Sequence, residues 1–399
     1  MLSAKPAFVS RTLLVLALAH LVNDLSQGAI PVLLPIFKEE FALTYTQVGV
    51  IVFVMNFTSS IIQPVFGYFA DKRDNLWVIP LGMFGAGVGL SLIGVMSDYY
   101  SLLGMVFFSG IGVAAFHPQA MKAANLISDP AARGRTMGVF SIGGNAGFAV
   151  GSLSAAYFYN LTGSFYSTLL YLVPTVITTV VLYYTIKNLA SLAPPQAAKA
   201  AKGQVSAQAP TGKLAALDYK LISLLLLFIF NRSTIQTGLI TYIPLYFVTY
   251  LGDEHVFASY VLSTFLFAGA FGTFVGAAMS DKFGRKAVII GSMLAMLPLI
   301  FLLPHTSGAA AILVVALAGM TLPASMATTI VFAQEMMPHN VGMASALTTG
   351  FSIGMGGVGA LLLGNVADHF GMMSVFTLLT ILTAVGAGIA ALLPSPQSA

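Results

Sequence analysis

His20, Asn23, Asp24 and Gln27 stand at i, i+3, i+4 and i+7, a spacing that puts all four side chains on one face of a helix. They interrupt an apolar run from Arg11 to Phe37. An ionisable side chain at mid-membrane costs ~3 kcal/mol or more, so such a stripe must face a cavity or a partner rather than hydrocarbon. Asp24 can take up and release a proton. His20 and His117, which lies in a later apolar run, carry imidazoles that ordinarily titrate near neutral pH. Each histidine is equally readable as a packing residue with satisfied hydrogen bonds. The three could together ligate a metal, but no close ligand pairing is visible in the sequence, so no metal is expected.

Arg232 is the fixed positive charge placed well inside an apolar run, 208 residues after Asp24. A guanidinium offers a planar fork of donors suited to carboxylate and phosphate oxygens. The expectation is that Arg232 grips an anionic substrate while Asp24, with His20 and His117, carries a coupling proton. Asn23, Gln27, Gln236 and Asn145 are the candidate hydrogen-bonding residues for that substrate. The competing reading is a permanent Asp24–Arg232 ion pair that clamps two halves of the molecule together.

The elements that must position these residues follow from composition. Of 399 residues, 57% are hydrophobic and 8% charged, against about 25% charged in soluble domains. Too little charge remains to hydrate a surface, so lipid must act as solvent. A helix needs about 20 apolar residues to cross a bilayer, and the apolar runs are long and continuous rather than alternating, which excludes a barrel. The fold class expected is an all-α membrane protein with twelve transmembrane helices. Their spans are 11–37, 45–70, 76–97, 100–124, 135–160 and 165–188, then 217–250, 256–280, 287–304, 310–336, 342–367 and 373–393. The first run imitates a signal peptide, with Lys5 and Arg11 ahead of it. It continues past His20 to Phe37, so it is assigned as the first span.

The domains read from the sequence are 1–189, a six-helix bundle; 190–216, a cytoplasmic linker rich in Ala, Pro, Gln, Ser and Lys; and 217–399, a second six-helix bundle. The bundles repeat each other at an offset near 210 residues. Phe140-Ser141-Ile142-Gly143 returns as Phe351-Ser352-Ile353-Gly354, and Gln27-Gly28 as Thr237-Gly238. Gly67 with Asp71-Lys72-Arg73 returns as Gly276 with Asp281-Lys282 and Arg285-Lys286. Several matches at one offset argue for duplication. Of the 17 Lys and Arg, all but Lys38 and Arg232 fall in the termini, the linker or loops on the same side. Cytoplasmic loops attract positive residues, so both termini and the linker are expected in the cytoplasm. The chain has no cysteine, which removes disulfides and thiolate chemistry. No nucleophile cluster or cofactor motif accompanies it, so neither an enzyme nor a cofactor is expected.

The acid-and-base loops after spans 2 and 8 resemble the signature loop of the major facilitator superfamily. In that family Asp71, Lys72, Arg73, Asp281, Lys282, Arg285 and Lys286 would be gating residues. Glu335, near the cytoplasmic end of span 10, reads as either a gate residue or a solvated helix end. Within the superfamily, His20-Leu21-Val22-Asn23-Asp24, Phe116-His117-Pro118, and Arg232-Ser233 followed by Gly238 to Tyr246 resemble the fosmidomycin resistance protein family. Gln119 follows the His-Pro pair where that resemblance would put a glutamate. Gly143, Gly147 and Gly151 recur every four residues, similar to the antiporter signature of drug exporters and equally suited to close helix packing.

The resemblance implies a proton-coupled drug antiporter of the bacterial inner membrane, a monomer exporting small anionic or amphiphilic compounds by alternating access. Its partners would be a small-molecule substrate, protons and the lipid bilayer, with no nucleic acid. Charge logic points the other way. An anion that draws Arg232 away from Asp24 would favour protonation of Asp24, a positive linkage that suits symport. Proton-coupled uptake of an organic anion or other metabolite is therefore the alternative.

Overall fold

The computed structural model describes residues 10–72, 76–128, 133–187, 219–337, 344 and 347–394. Among these residues all regular structure is helical, with twelve helices long and apolar enough to cross a membrane. They are α1 Arg11–Glu40, α2 Tyr45–Phe69, α3 Val78–Val95, α4 Tyr99–Leu126, α5 Arg135–Thr162 and α6 Phe165–Lys187. The second six are α7 Ile222–Tyr250, α8 His255–Phe283, α9 Arg285–His305, α10 Gly308–Met336, α11 Thr348–Phe370 and α12 Met372–Leu392. The expected fold class and all twelve spans are found. The predicted linker at 190–216 lies outside the described residues.

Hydropathy marks where a helix leaves the apolar phase, whereas capping marks where it ends. Thus α1 runs on through Lys38 and Glu39 to Glu40, beyond the predicted end at 37. The start of α2 is set by Thr44 and Gln47, which exchange reciprocal backbone hydrogen bonds in a capping box. Asp98 starts α4, its carboxylate accepting from Tyr100 N at 2.9 Å and Ser101 N at 3.0 Å.

Contacts divide the chain into two compact units. One comprises the described parts of Met1–Ala29 and Ile62–Ala207, the other those of Ile30–Ile61 and Gln208–Ala399. This grouping follows packing, whereas the expectation of bundles at 1–189 and 217–399 rests on the repeat in the sequence. In the first unit, α5 lies against α1 through Gly143, Gly147 and Gly151. An added Cβ at these positions would meet the backbone of Ala17, Leu21 and Leu25 in turn. Gly28 returns the contact, against the backbone of Phe148. Glycines four apart form a continuous groove, and van der Waals contact along it is what joins helices where lipid supplies no hydrophobic drive.

In the second unit α11 uses two faces. Gly356 and Gly359 receive Thr237 and Thr234 of α7, while Gly49 of α2 approaches Leu361 and Gly364 approaches Tyr45. At the end of this seam Asp368 accepts from Tyr45 N at 2.7 Å, Thr46 N at 2.8 Å and Thr46 Oγ1 at 2.6 Å. One carboxylate on α11 thereby satisfies two donors that the first turn of α2 leaves free.

The cap at Asp98 sets a pH dependence. Hydrogen bonds from Ser101, backbone first, hold the Asp98 carboxyl below its ordinary value. A depressed folded pKa gives stabilisation that is complete above the unfolded value, near pH 4, and is lost as pH falls through the folded one. Hydrogen exchange at the start of α4 should therefore be faster in Asp98→Ala than in wild type at pH 6. The difference should shrink as the pH is lowered below about 4.

Candidate functional site

Each unit buries one polar cluster. In the first unit, α1 contributes His20, Asn23 and Asp24 from a single face, and α4 contributes His117. His20 and Asp24 are 8% and 4% exposed. Asp24 Oδ2 lies 3.2 Å from His20 Nε2, and Asp24 Oδ1 lies 3.4 Å from His117 Nε2. The two Nε2 atoms are 3.2 Å apart. Asn23 Nδ2 donates to Asp24 Oδ1 at 2.9 Å, and Asn23 Oδ1 is buried without a partner.

Each imidazole is oriented from behind. His20 Nδ1 donates to the Phe140 carbonyl at 2.8 Å, and His117 Nδ1 to the Val113 carbonyl at 2.9 Å. A carbonyl can only accept, so the Nδ1 proton is assigned in both rings. His20 also stacks on Phe140, with centroids 4.2 Å apart, and is flanked by Phe116. Pro118 follows His117 and has no N–H to offer the preceding turn.

Gly144 makes this arrangement possible. A Cβ there would stand 2.5 Å from His20 Nε2 and 2.9 Å from Asp24 Oδ2. The glycine groove of α5 thus brings the α1 backbone close and leaves room for its ionisable pair. Of the other candidates in this unit, Gln27 is half-buried and outside the cluster, and Asn145 is exposed.

In the second unit, Arg232 of α7 is 2% exposed. Its Nη1 donates to Gln236 Oε1 at 2.9 Å, one helical turn away, and its Nη2 to Ser352 Oγ of α11 at 3.1 Å. Ser352 Oγ is also hydrogen-bonded to Ser233 Oγ. Both acceptors of the guanidinium are neutral, and Arg232 Nε is buried without a partner. Asn231 Oδ1 and Thr234 Oγ1 on the same helix are likewise buried and unpartnered. A buried cation hydrogen-bonded only to neutral groups has unused donors and no compensating charge, which is the chemistry of an anion site.

The loop after α8 forms a charged knot. Arg285 Nη1 meets Asp281 Oδ1 at 2.5 Å and Ser280 Oγ at 2.7 Å, while Arg285 Nε meets Glu335 Oε1 at 3.3 Å. Glu335, partly exposed at the end of α10, is therefore tied to the start of α9. The sequence could not show this because the partners are 50 residues apart. Lys282 Nζ lies over the Phe283 ring, 5.3 Å from its centroid, and Lys286 follows Arg285 in the first turn of α9. Asp71 and Lys72 end the helix that closes α2. Their side chains, and Arg73 entirely, lie outside the described residues.

The family model for the Major Facilitator Superfamily matches residues 16–349 and 225–399. The chain belongs to this superfamily. It is 33% identical over 388 residues to the uncharacterized MFS-type transporter YfnC of Bacillus subtilis (strain 168), covering 96% of this chain and 93% of that one. It is 31% identical over 377 residues to the fosmidomycin resistance protein of Escherichia coli (strain K12), covering 93% and 90%. The resemblance carried by the His20–Asp24, Phe116–Pro118 and Arg232–Tyr246 segments is thereby confirmed along nearly the whole chain.

The fold is shared with a bacterial homolog of the human lysosomal transporter Spinster in an inward-facing, occupied conformation. The TM-score is 0.81 at 16% identity, covering 98% of this chain and 97% of that one. The xylose transporter XylE from E. coli, inward open, gives 0.70 at 16% identity, covering 96% of both chains. This major facilitator protein is a multi-pass membrane transporter and not an enzyme.

Sequence reasoning passed over Gly144, Ser233 and Ser352. Ser352 had a signal, since it lies in the repeated Phe-Ser-Ile-Gly segment. Gly144 adjoins Gly143 but stands outside the four-residue glycine repeat, so spacing gives no signal for it. Substituting Gly144 with Ala should force His20 and Asp24 aside and lower stability by about 1–3 kcal/mol, the usual range for overpacking. Gly138→Ala, with open space at its Cβ, should not. Thermal unfolding of the two variants in detergent compares them directly.

Proposed function

We propose that this transporter exports small anionic or amphiphilic compounds, fosmidomycin-like in chemistry, in exchange for protons by alternating access. The observation that carries the reading is Arg232, a buried guanidinium held by Gln236 and Ser352 with its Nε left free. A phosphonate or carboxylate would supply the missing charge. The relative named for fosmidomycin resistance supports that substrate class.

Proton coupling is assigned to Asp24 with His20 and His117, whose imidazoles lie within hydrogen-bonding reach of each other and each of one carboxylate oxygen. Asn23 orients Asp24; Gln236 orients Arg232; Gln27 and Asn145 are assigned to the substrate's polar groups. The Arg285–Asp281–Glu335 knot, with Lys282 and Lys286, is assigned to gating, together with Asp71, Lys72 and Arg73. A monomer in the bacterial inner membrane, with six-helix bundles at 1–189 and 217–399, completes the proposal. Placement of both termini and the 190–216 linker in the cytoplasm is supported by the Lys and Arg distribution.

Direction is the part most easily tested. In everted vesicles, fosmidomycin should accumulate when the interior is acid, and in right-side-out vesicles it should not be concentrated. Accumulation in right-side-out vesicles driven by an outside-acid gradient would establish uptake by symport instead. Arg232→Ala should weaken fosmidomycin binding by roughly 10- to 150-fold, the equivalent of one charged hydrogen bond of about 1.5–3 kcal/mol. Unchanged binding in that variant would remove Arg232 from the substrate site.

A further inference from the structure

The geometry around Asp24 has a consequence beyond proton exchange. Both Nδ1 atoms are committed as donors to the Phe140 and Val113 carbonyls, so in the neutral rings both Nε2 atoms present lone pairs. Those lone pairs face each other at 3.2 Å and face the Asp24 carboxylate at 3.2 and 3.4 Å. Two imidazole lone pairs and a carboxylate cannot converge in this way unless a positive charge sits among them. A proton on one imidazole satisfies part of the cluster. A single ion bonded to both imidazole nitrogens and to the carboxylate satisfies the whole of it.

The distances suit such an ion. Ligand atoms about 2.0–2.1 Å from a tetrahedral metal are separated from one another by about 3.3–3.4 Å; the two imidazole Nε2 atoms are 3.2 Å apart, and each has its own Asp24 oxygen nearby, Oδ2 at 3.2 Å from His20 and Oδ1 at 3.4 Å from His117. Among the described residues, His20, Asp24 and His117 form a group whose ligand atoms all lie within 4.8 Å of one another. Histidine ligands of metals characteristically donate their other ring nitrogen to a carbonyl or carboxylate, and both rings do so here. Burial around Phe116 and Phe140 lowers the local dielectric and strengthens the attraction. The side chain of His117, 17% exposed, gives an ion a side from which to enter.

We propose that His20 Nε2, His117 Nε2 and the Asp24 carboxylate form a binding site for one divalent first-row transition-metal cation of the zinc type, with the fourth position left to water or a solute. Two imidazoles and one carboxylate are ligands of intermediate softness, suited to Zn²⁺ or Co²⁺ and poorly suited to Ca²⁺ or Mg²⁺. The site stands on the cluster's own geometry and does not require the export reading. If protons also use these lone pairs, metal and proton compete for them.

The test is a titration of the purified full-length protein, stripped with chelator, using Zn²⁺ by calorimetry and Co²⁺ by visible absorption at pH 7.5. One Zn²⁺ per chain and the intense bands of four-coordinate Co²⁺ are expected. Asp24→Asn and His117→Gln should each weaken Zn²⁺ binding by at least about 100-fold, no less than the loss of an outer-shell partner. A double variant of the exposed histidines, His305→Gln with His369→Gln, should bind as the wild type does. X-ray absorption of the Zn²⁺-loaded wild type should report two imidazoles, which decides the matter even if a cluster variant fails to fold. Absence of stoichiometric binding, binding that survives both cluster substitutions, or fewer than two imidazoles at the metal would overturn the proposal. Fosmidomycin flux measured on the same preparations tests export separately, since either result can stand without the other.

Discussion

Removing an ionisable group from water costs several kcal/mol unless a partner recovers it, and this constraint governs what the chain can hold inside its helices. The protein meets it differently in its two units. Around Asp24 the solution is local and opposite in character, a carboxylate with two imidazoles and an amide. Around Arg232 the solution is incomplete, because hydroxyl and amide oxygens accept hydrogen bonds without supplying charge.

Close packing makes these clusters possible. Side chains as large as histidine and arginine can be buried only where neighbouring backbone comes near enough to hydrogen-bond them without filling their space. Gly143, Gly147 and Gly151 bring α5 onto the backbone of α1, and Gly144 keeps the intervening surface clear for His20 and Asp24. The same approach places the Phe140 carbonyl 2.8 Å from His20 Nδ1. Gly356 and Gly359 do equivalent work between α11 and α7, where Ser352 reaches Arg232. The repeated Phe-Ser-Ile-Gly segment thus supplies a hydrogen-bond acceptor to the buried polar residue in both units, once through the Phe140 carbonyl and once through Ser352 Oγ.

Charges at helix ends obey a looser rule. Arg285, Asp281 and Glu335 remain partly in contact with solvent, where an ion pair contributes about 0–1 kcal/mol. Weak pairs of this kind can be broken and remade during a conformational cycle without a large barrier. The Asp368 cap on α2 differs in joining one carboxylate to three donors at once, a tighter junction built on charge-assisted hydrogen bonds.

Much of this was legible in the chain itself. Composition demanded a membrane, the apolar runs located twelve helices, and the repeat revealed the duplication, because each depends only on what a local segment can do in lipid. The stripe of His20, Asn23 and Asp24 and the isolated Arg232 were visible for the same reason, as polar groups that hydrocarbon cannot solvate. What only tertiary structure decided was which partner each of them meets. His117 is 93 residues from Asp24 and Ser352 is 120 residues from Arg232, and helical periodicity has no reach over such separations. The convergence of two imidazoles on one carboxylate, the free Nε of Arg232, the tie between Arg285 and Glu335 and the space kept by Gly144 arise from helices packing side by side. No single segment contains that information.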